Sequence, residues 1–467
     1  MEDRPRTCDL TRGKPLRMII RFVIPVLLGL LLQQVYSIVD TAIVGHALGV
    51  MALGGVGATG AMNYLILGFC GGLCVGMAIP LAQTFGAGDY RRLRVYVANC
   101  VWLGIALSVL MLVITLPLCR PLLTVMGTQP EQLEYAFDYI FIIFCGIPAI
   151  ILYNMGACVL RSLGDSKSPI WFLALASVIN IVLDFLSIYG LHMGVAGAAT
   201  ATVISQLVSG LLCVWYIKKR FPILQMSKEE WAFDRDASLH LLSMGVPVGL
   251  QCSITAIGSV ILQTAVNSLG AVCVSGVATS AKIYQLFACP YDALGMTATN
   301  YVGQNFGAGK FDRIRHGVGA SMLIGLAYCV VHILLMQFCL QYAMLLFMSA
   351  EEMQLVLPYT QMIARIEAYS APLLLAVNVL RLSIQGMGYS RLALVAGLME
   401  MIARTLMGAW AVPKFGFIAA CLASPLAWLL ADLFLIPAFF GCLRAREENA
   451  QAVRAMQQAD EAAERNS

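Results

Sequence analysis

Apolar residues run through this 467-residue chain in long blocks separated by short polar intervals. A helix needs about 20 predominantly apolar residues to cross the hydrocarbon core of a bilayer, because each residue advances it by about 1.5 Å. Runs of at least that length lie at 18–48, 58–82, 95–118, 137–158, 169–190, 194–217, 240–264, 272–300, 317–340, 355–380, 391–412 and 416–442. The pattern therefore predicts an all-α integral membrane protein with twelve transmembrane helices. The first run is too long for a signal-peptide core and has no small-residue cleavage site, so it counts as the first span. One residue inside it is costly: Asp40 is a carboxylate at a depth where insertion scales charge about 2.5 to 3.5 kcal/mol.

Composition agrees, with 60% hydrophobic and only 12% charged residues against about 25% charged in a soluble domain. The net charge of +4 matters less than its distribution. With the amino terminus in the cytoplasm, 25 of the 30 lysines and arginines fall in segments on that side, including Arg4, Arg6, Arg12, Arg91 to Arg94, Lys218 to Arg220, Lys310, Arg313, Arg381, Arg391, Arg454 and Arg465. Only Arg120 and Lys414 fall in the opposite loops, and Lys282, Arg365 and Arg404 lie inside spans. By the positive-inside rule this predicts both ends in the cytoplasm, in the plasma (inner) membrane. The basic clusters recur at every second loop without interleaved aromatics, which argues against nucleic acid. The fifteen cysteines are scattered, with no Cys-x-x-Cys. They suggest helix packing rather than disulfides or zinc.

The chain is duplicated. Residues 83–94 read Gln-Thr-Phe-Gly-Ala-Gly-Asp-Tyr-Arg-Arg-Leu-Arg and residues 304–315 read Gln-Asn-Phe-Gly-Ala-Gly-Lys-Phe-Asp-Arg-Ile-Arg. At nearly the same offset Pro25 meets Pro247, Gly164 meets Gly388, and Gly194 meets Gly416. Each copy holds six spans, an even number, so the copies are parallel repeats related by an axis along the membrane normal. The expected organisation is an amino-terminal lobe at 1–217, a cytoplasmic linker at 218–239, a carboxy-terminal lobe at 240–443 and a polar cytoplasmic tail at 444–467. The Gly-rich segment Gly303 to Lys310 has the wrong spacing for a phosphate loop, and Phe311 stands where Ser or Thr should hold magnesium. It reads as a tight turn in which glycine supplies positive φ.

The intramembrane acids are not duplicated. The repeat mates of Asp40, Asn180 and Asp184 are Leu262, Ile402 and Leu406. Helical rise places Asp40 about 13 Å, Asn180 about 15 Å, Asp184 about 9 Å and Thr202 about 13 Å from the outer ends of their spans, in one layer. Asn180 and Asp184, four apart, share a helix face. Two carboxylates, an amide and a hydroxyl form an all-oxygen set suited to sodium or to a shared proton. Proline removes a helix hydrogen bond, so Pro25 and Pro247 mark expected kinks, and Pro25 is the candidate hinge. Glu400 and Arg404, also four apart, should pair, whereas Arg365 and Glu367, two apart, and Lys282 and Asp292, ten apart, should not.

The Val39-Asp40-Thr41-Ala42-Ile43-Val44-Gly45 segment, the twice-used Gln-x-Phe-Gly-Ala-Gly turns and Leu160-Arg161-Ser162-Leu163-Gly164-Asp165 resemble the multidrug and toxic compound extrusion (MATE) family over about residues 12 to 443. The resemblance implies a V-shaped pair of six-helix lobes that exports organic cations, drugs and other amphipathic compounds in exchange for sodium or protons. In its DNA-damage-inducible (DinF-like) branch, Asp40, Asp184, Asn180 and Thr202 match the cation site of the amino-terminal lobe, with Gln34, Tyr139 and Asn154 at nearby polar positions. The other bacterial branch needs acids on the seventh and tenth spans. The seventh span offers Gln251 and Gln263 but no acid, and Glu367 is a weak match in the tenth. We therefore expect a monomeric cation-coupled antiporter that handles a small amphipathic substrate among membrane lipids. It should need no cofactor beyond the coupling sodium or proton, and no metal beyond that sodium. Flipping of a lipid-linked precursor is the alternative. An intramembrane enzyme is not expected, since His-Glu-x-x-His and Gly-x-Ser-x-Gly are both missing.

Overall fold

The computed structural model describes residues 9–345 and 349–466, and the side chains of Val50 and of 449–466 lie outside the description. Arg4 and Arg6, and the side chains of Arg454 and Arg465, thus fall outside the described residues. In chain order the long helices are α1 (Pro15–Gly49), α2 (Met51–Ala87), α3 (Tyr90–Val125), a bent pair α4a (Pro130–Cys145) and α4b (Ile147–Ser162), α5 (Ser168–Gly190) and α6 (Val195–Arg220). They continue as α7 (Arg235–Asn267), α8 (Ala271–Gly307), α9 (Phe311–Phe338), a second bent pair α10a (Ala350–Tyr369) and α10b (Ala371–Gly386), α11 (Ser390–Phe415) and α12 (Phe417–Glu448). Ten single helices are long and apolar enough to cross a membrane, and counting each bent pair once gives twelve spans among the described residues.

Two breaks differ from the continuous runs expected at 137–158 and 355–380. Each pair bends by 51°, with Pro148 and Pro372 in the first turn of the second helix. Proline has no N–H to bond back across the junction and its ring crowds the preceding turn, so the helix restarts in a new direction. Pro25 and Pro247, by contrast, lie inside α1 and α7 without interrupting helical backbone angles. The break near the first span falls instead at Gly49, with φ 83° and ψ −179°. The repeat extends to fine structure: α5 and α11 both contain a π-helical turn near their ends, Leu186–Gly190 and Met407–Ala411.

One large apolar core is built mainly from residues of the first half, from Ile43 to Cys213, and takes in Phe221 and Leu224 of the segment before α7, and Ala237 and Leu241 at the start of α7. The second core combines Tyr291 to Leu443 with Leu10, Ile19, Phe22, Val23 and Val26. So α1 begins in the second-half core and ends in the first. The halves meet closely where α2 crosses α7. A Cβ on Gly76 would lie 2.6 Å from the Met244 carbonyl oxygen, and one on Gly72 would lie 2.9 Å from that of Val248. Small residues are what allow helix backbones in a membrane to approach so closely. Farther along, the helices part company. Gly54 and Gly55 of α2 pack on Gln132 and Tyr135 of α4a, whereas Gly258 of α7 packs on Met401 of α11. The two halves therefore join on the face that carries the basic turns and separate toward the opposite face.

Candidate functional site

The first-half polar cluster is set by three helices. The register of α5 is fixed at its start by Asp165, whose Oδ1 accepts from the backbone N–H of Lys167 and of Ser168, both at 3.0 Å, while its Oδ2 accepts from Ser168 Oγ at 2.6 Å. From that start, Asn180 and Asp184 emerge on one buried face, each with no exposed surface. Asp40 of α1 is also buried, and its carboxyl group is within hydrogen-bonding reach of that of Asp184. Asn180 Nδ2 donates to Thr202 Oγ1 of α6 at 3.4 Å. Four buried oxygens remain without a hydrogen-bond partner: Asp40 Oδ1, Asn180 Oδ1 and both carboxylate oxygens of Asp184. Leaving such groups unpaired is expensive, about 1–3 kcal/mol for a neutral group and more for a charged one. A cluster of acceptors with no donors is the arrangement that a cation or a proton completes.

The structure thus brings Asp40, Asn180, Asp184 and Thr202 together, and adds a residue that sequence reasoning missed. The Tyr36 hydroxyl lies 3.2 Å from Thr202 Oγ1. Its spacing of four from Asp40 was the available signal. Tyr139 of α4a is buried and close enough to feel the charges of Asp40 and Asp184. Two nearby positions are not part of the cluster. Gln34 makes no hydrogen bond to the acids among the described residues. Asn154 donates to its own helix at Ile150 O, 2.9 Å away, and faces a separate cavity of about 120 Å³ shared with Gln33 and Arg161.

The duplicated turns hold the other notable geometry. Gly88 and Gly309 adopt φ of 75° and 66°, as a tight turn requires. The glutamines that begin the two motifs cross between the halves. Gln83 Nε2 donates to Gly386 O at 2.9 Å, and Gln304 Nε2 donates to Ser162 O at 2.8 Å. Their backbones lie against the motif glycines of the opposite half. A Cβ on Gly86 would stand 2.0 Å from Gln304 O, and one on Gly307 would stand 1.8 Å from Gln83 O. The contact is reciprocal, as a two-fold relation demands. Gln304 Oε1 also accepts from Leu10 N, and Lys310 and Arg313 donate to the carbonyls of Thr11 and Gly13, which fastens the segment ahead of α1.

The MatE family model matches residues 25–186 and again 247–410. The chain belongs to the MatE family. Members of the family are transporters, not enzymes. The two matched stretches fall one in each copy of the duplication. The probable multidrug resistance proteins YpnP and YoeA of Bacillus subtilis are 33% and 30% identical to it, over 66% and 65% of this chain and 68% of each of theirs. The FAD transporter of Shewanella oneidensis is 24% identical over 68% of this chain and 70% of its own. Among solved structures, the outward-facing conformation of a multidrug resistance MATE family transporter matches with a TM-score of 0.87 at 22% identity, over 96% of this chain and all of that one. A MOP superfamily transporter from Pyrococcus furiosus, described as having a binding pocket of reverse polarity, matches with a TM-score of 0.85 at 23% identity, over 94% of this chain and 99% of that one.

In the second half of this MatE chain the buried charges are arranged differently. Arg381 had been expected in a basic segment at the membrane surface. It lies within α10b, five residues before the helix ends at Gly386, with its side chain largely buried. Arg381 Nη1 bonds Glu400 Oε1 at 2.8 Å, and Arg404, the partner expected from spacing, bonds Glu400 Oε2 at a longer 3.4 Å. Arg381 also donates to Asn378 Oδ1, and Asn378 Nδ2 donates to Asp292 Oδ1 at 3.2 Å. Gln251 accepts from Gln385 Nε2 at 2.9 Å, and the exposed Gln263 donates to Asn267. Here Asp292 and Glu400 are bonded to amides and arginines, but Asp432 of α12, also buried, keeps both carboxylate oxygens without a partner, as Asp184 does in the first half.

Proposed function

We propose that this protein is a secondary active exporter in which binding of sodium or protons at Asp40 and Asp184 drives the outward movement of amphipathic compounds by alternating access. The observation that carries the reading is the buried acid pair beside Asn180, with four unpartnered oxygens among the three residues, in a chain whose second half provides apolar residues at the corresponding positions. Two carboxylates within hydrogen-bonding reach repel when both are charged, and either a shared proton or a cation between them removes the repulsion. Asn180 Oδ1, Thr202 Oγ1 and the Tyr36 hydroxyl complete an oxygen set for a hard cation. Sodium and proton are both substrates of such a site, not resident cofactors. Gln34 and Tyr139 belong in this reading to the polar surroundings of the site and Asn154 to the neighbouring cavity, and Pro25 is the point in α1 where bending would couple ion binding to the second-half core.

The separation of the halves away from the basic face supports a cleft open on that side, which we assign to the outside, with both chain ends in the cytoplasm and the plasma membrane around a monomer. We divide the chain into two lobes at the polar linker. A ligand shifts such a two-state equilibrium only by its differential affinity for the two states. Each charge entering across 100 mV provides about 2.3 kcal/mol. That supports a gradient of about fifty-fold for a neutral substrate. The names of the Bacillus relatives agree with drug-like substrates. Flipping of a lipid-linked pyrophosphate is less well supported, because Arg381 and Arg404 are already committed to Glu400.

The test is transport of a panel of cationic dyes in proteoliposomes with sodium and proton gradients imposed separately. Asp40→Asn and Asp184→Asn should each abolish gradient-driven export while leaving dye binding in place, and Tyr36→Phe should weaken the ion dependence without abolishing it. Full gradient-driven export by both asparagine variants would sink the reading.

A further inference from the structure

On the flank of the first half, helices α3 and α6 both pack on α4b but make no extended contact with each other. The gap is a groove of about 830 Å³. Its floor is apolar, formed by Ile151 and Met155 of α4b, and its walls include Ile105 of α3 and Leu207 of α6, both exposed along its open side. On α3 it runs from Val97 at the basic face to Leu112, about 22 Å by helical rise. That is more than one leaflet of a hydrocarbon core about 30 Å thick.

The basic end is finished differently. Lys218 lines it, and Trp231 of the segment between α6 and α7 closes over it. That segment is a strap tied firmly to α3. Trp102 Nε1 donates to Trp231 O at 3.0 Å, Arg94 bonds Glu230 through both Nε and Nη2, and Asn99 Oδ1 accepts from Asp234 N at 2.9 Å. Lys219, the next residue of α6, lies 4.9 Å over the ring of Trp215. Tryptophans at this level mark the membrane interface, and lysines beside them meet the phosphates of that leaflet.

A groove of this shape does not stay empty in a bilayer. Water finds too few polar partners on its walls, and a void forfeits the dispersion contacts of every lining side chain. We infer that the groove holds an acyl chain of an anionic phospholipid from the leaflet on the basic face, with its phosphate at Lys218 and Lys219 under the strap. An apolar trench and a basic mouth at one end match the two parts of that molecule. A zwitterionic lipid satisfies the trench but gains less at the mouth.

The test is lipid retention by the full-length purified protein, read by native mass spectrometry after titration with phosphatidylglycerol or phosphatidylcholine. The expected result is one tightly held phosphatidylglycerol per chain and little phosphatidylcholine. Gly104→Phe, which fills the trench from α3, should remove it. Lys218→Gln with Lys219→Gln should weaken phosphatidylglycerol binding by about fivefold per lysine. Equal retention of the two lipids, retention unchanged in either variant, or a second protein chain bound in place of lipid would overturn the inference. If gel filtration shows that Gly104→Phe does not fold, the surface lysine pair decides the matter alone.

Discussion

The reciprocal glutamine contacts should be the latch that closes the basic face, and Gly86→Ala is the sharpest way to loosen it. The added methyl group would stand 2.0 Å from Gln304 O and 2.6 Å from Gln304 Cα. The obstacle is backbone rather than the end of a flexible side chain, so the two halves must move apart to admit it. Overpacking of this kind costs about 1–3 kcal/mol. The closed arrangement should therefore open about 5- to 150-fold more often. Gln83→Leu removes only one hydrogen bond, worth about 0.5–1.5 kcal/mol, and should have a correspondingly smaller effect. Amide hydrogen exchange of the purified protein measures this directly, since exchange of protected amides follows the free energy of local opening. Peptides covering 83–94 and 304–313 should both accelerate in Gly86→Ala, and equally in Gly307→Ala, while peptides over α3 away from the latch should not. The double variant should fall short of the sum, because either substitution alone opens the shared contact. Exchange unchanged at 304–313 in Gly86→Ala, or acceleration spread evenly over the chain, would refute the latch.

Two further outcomes follow from charge pairs. Glu400→Ala leaves Arg381 and Arg404 buried without their common partner, and should cost about 3–5 kcal/mol in thermal unfolding in detergent. Arg404→Met should cost less than Arg381→Met, because Arg381 makes the shorter bond and also holds Asn378, and the reverse order would show that the network is apportioned otherwise. In the strap, the hydrogen bonds from Arg94 hold the Glu230 carboxyl down to about 2. A group depressed in the folded state contributes above its ordinary pKa and loses that contribution as pH falls through the folded value. Protection of 222–234 against hydrogen exchange should therefore be steady from pH 8 to about 5 and weaken only as pH approaches 2, with Glu230→Gln loose throughout. Loosening centred near neutrality would contradict the assignment.

The span pattern was legible because membrane helices must satisfy every backbone group internally, so length and apolarity suffice to locate them. The duplication was legible from one repeated motif together with further matches in the same register. What the motif does was not. Turn chemistry explains Gly88 and Gly309, but the reach of Gln83 to Gly386 and of Gln304 to Ser162 spans some 300 and 142 positions, and no local rule reports contacts at that separation. The convergence of Asp40, Asn180, Asp184 and Thr202 could be read from depth alone, since one coordinate orders residues along parallel helices. Depth does not give rotation, which is why Tyr36 was overlooked; Gln34 and Asn154 came from the family resemblance alone, as nearby polar positions, and neither bonds to the acids among the described residues. The bends at Pro148 and Pro372 were lost because each lies inside an unbroken apolar run, and hydropathy does not register a missing N–H.

The two kinds of symmetry in this chain divide the labour of the proposed cycle. Parts that must act on both halves at once are duplicated: the bent fourth and tenth spans and the glutamine latch. A two-fold closure of that kind has two discrete arrangements, because breaking one reciprocal contact displaces the other. The ion chemistry is not duplicated. Asp184 keeps both oxygens unpaired beside a second acid, Asp40, whereas in the second half Glu400 spends both of its oxygens on arginines and the unpaired Asp432 of α12 is a single acid within reach of the charges of Glu400 and Arg381. An acid already neutralised by fixed charges has little affinity left to change between states, and a ligand that binds two states equally shifts nothing. Coupling should therefore run from the unpaired first-half acids through α1, whose far end lies in the first-half core and whose near end lies in the second-half core beside the latch.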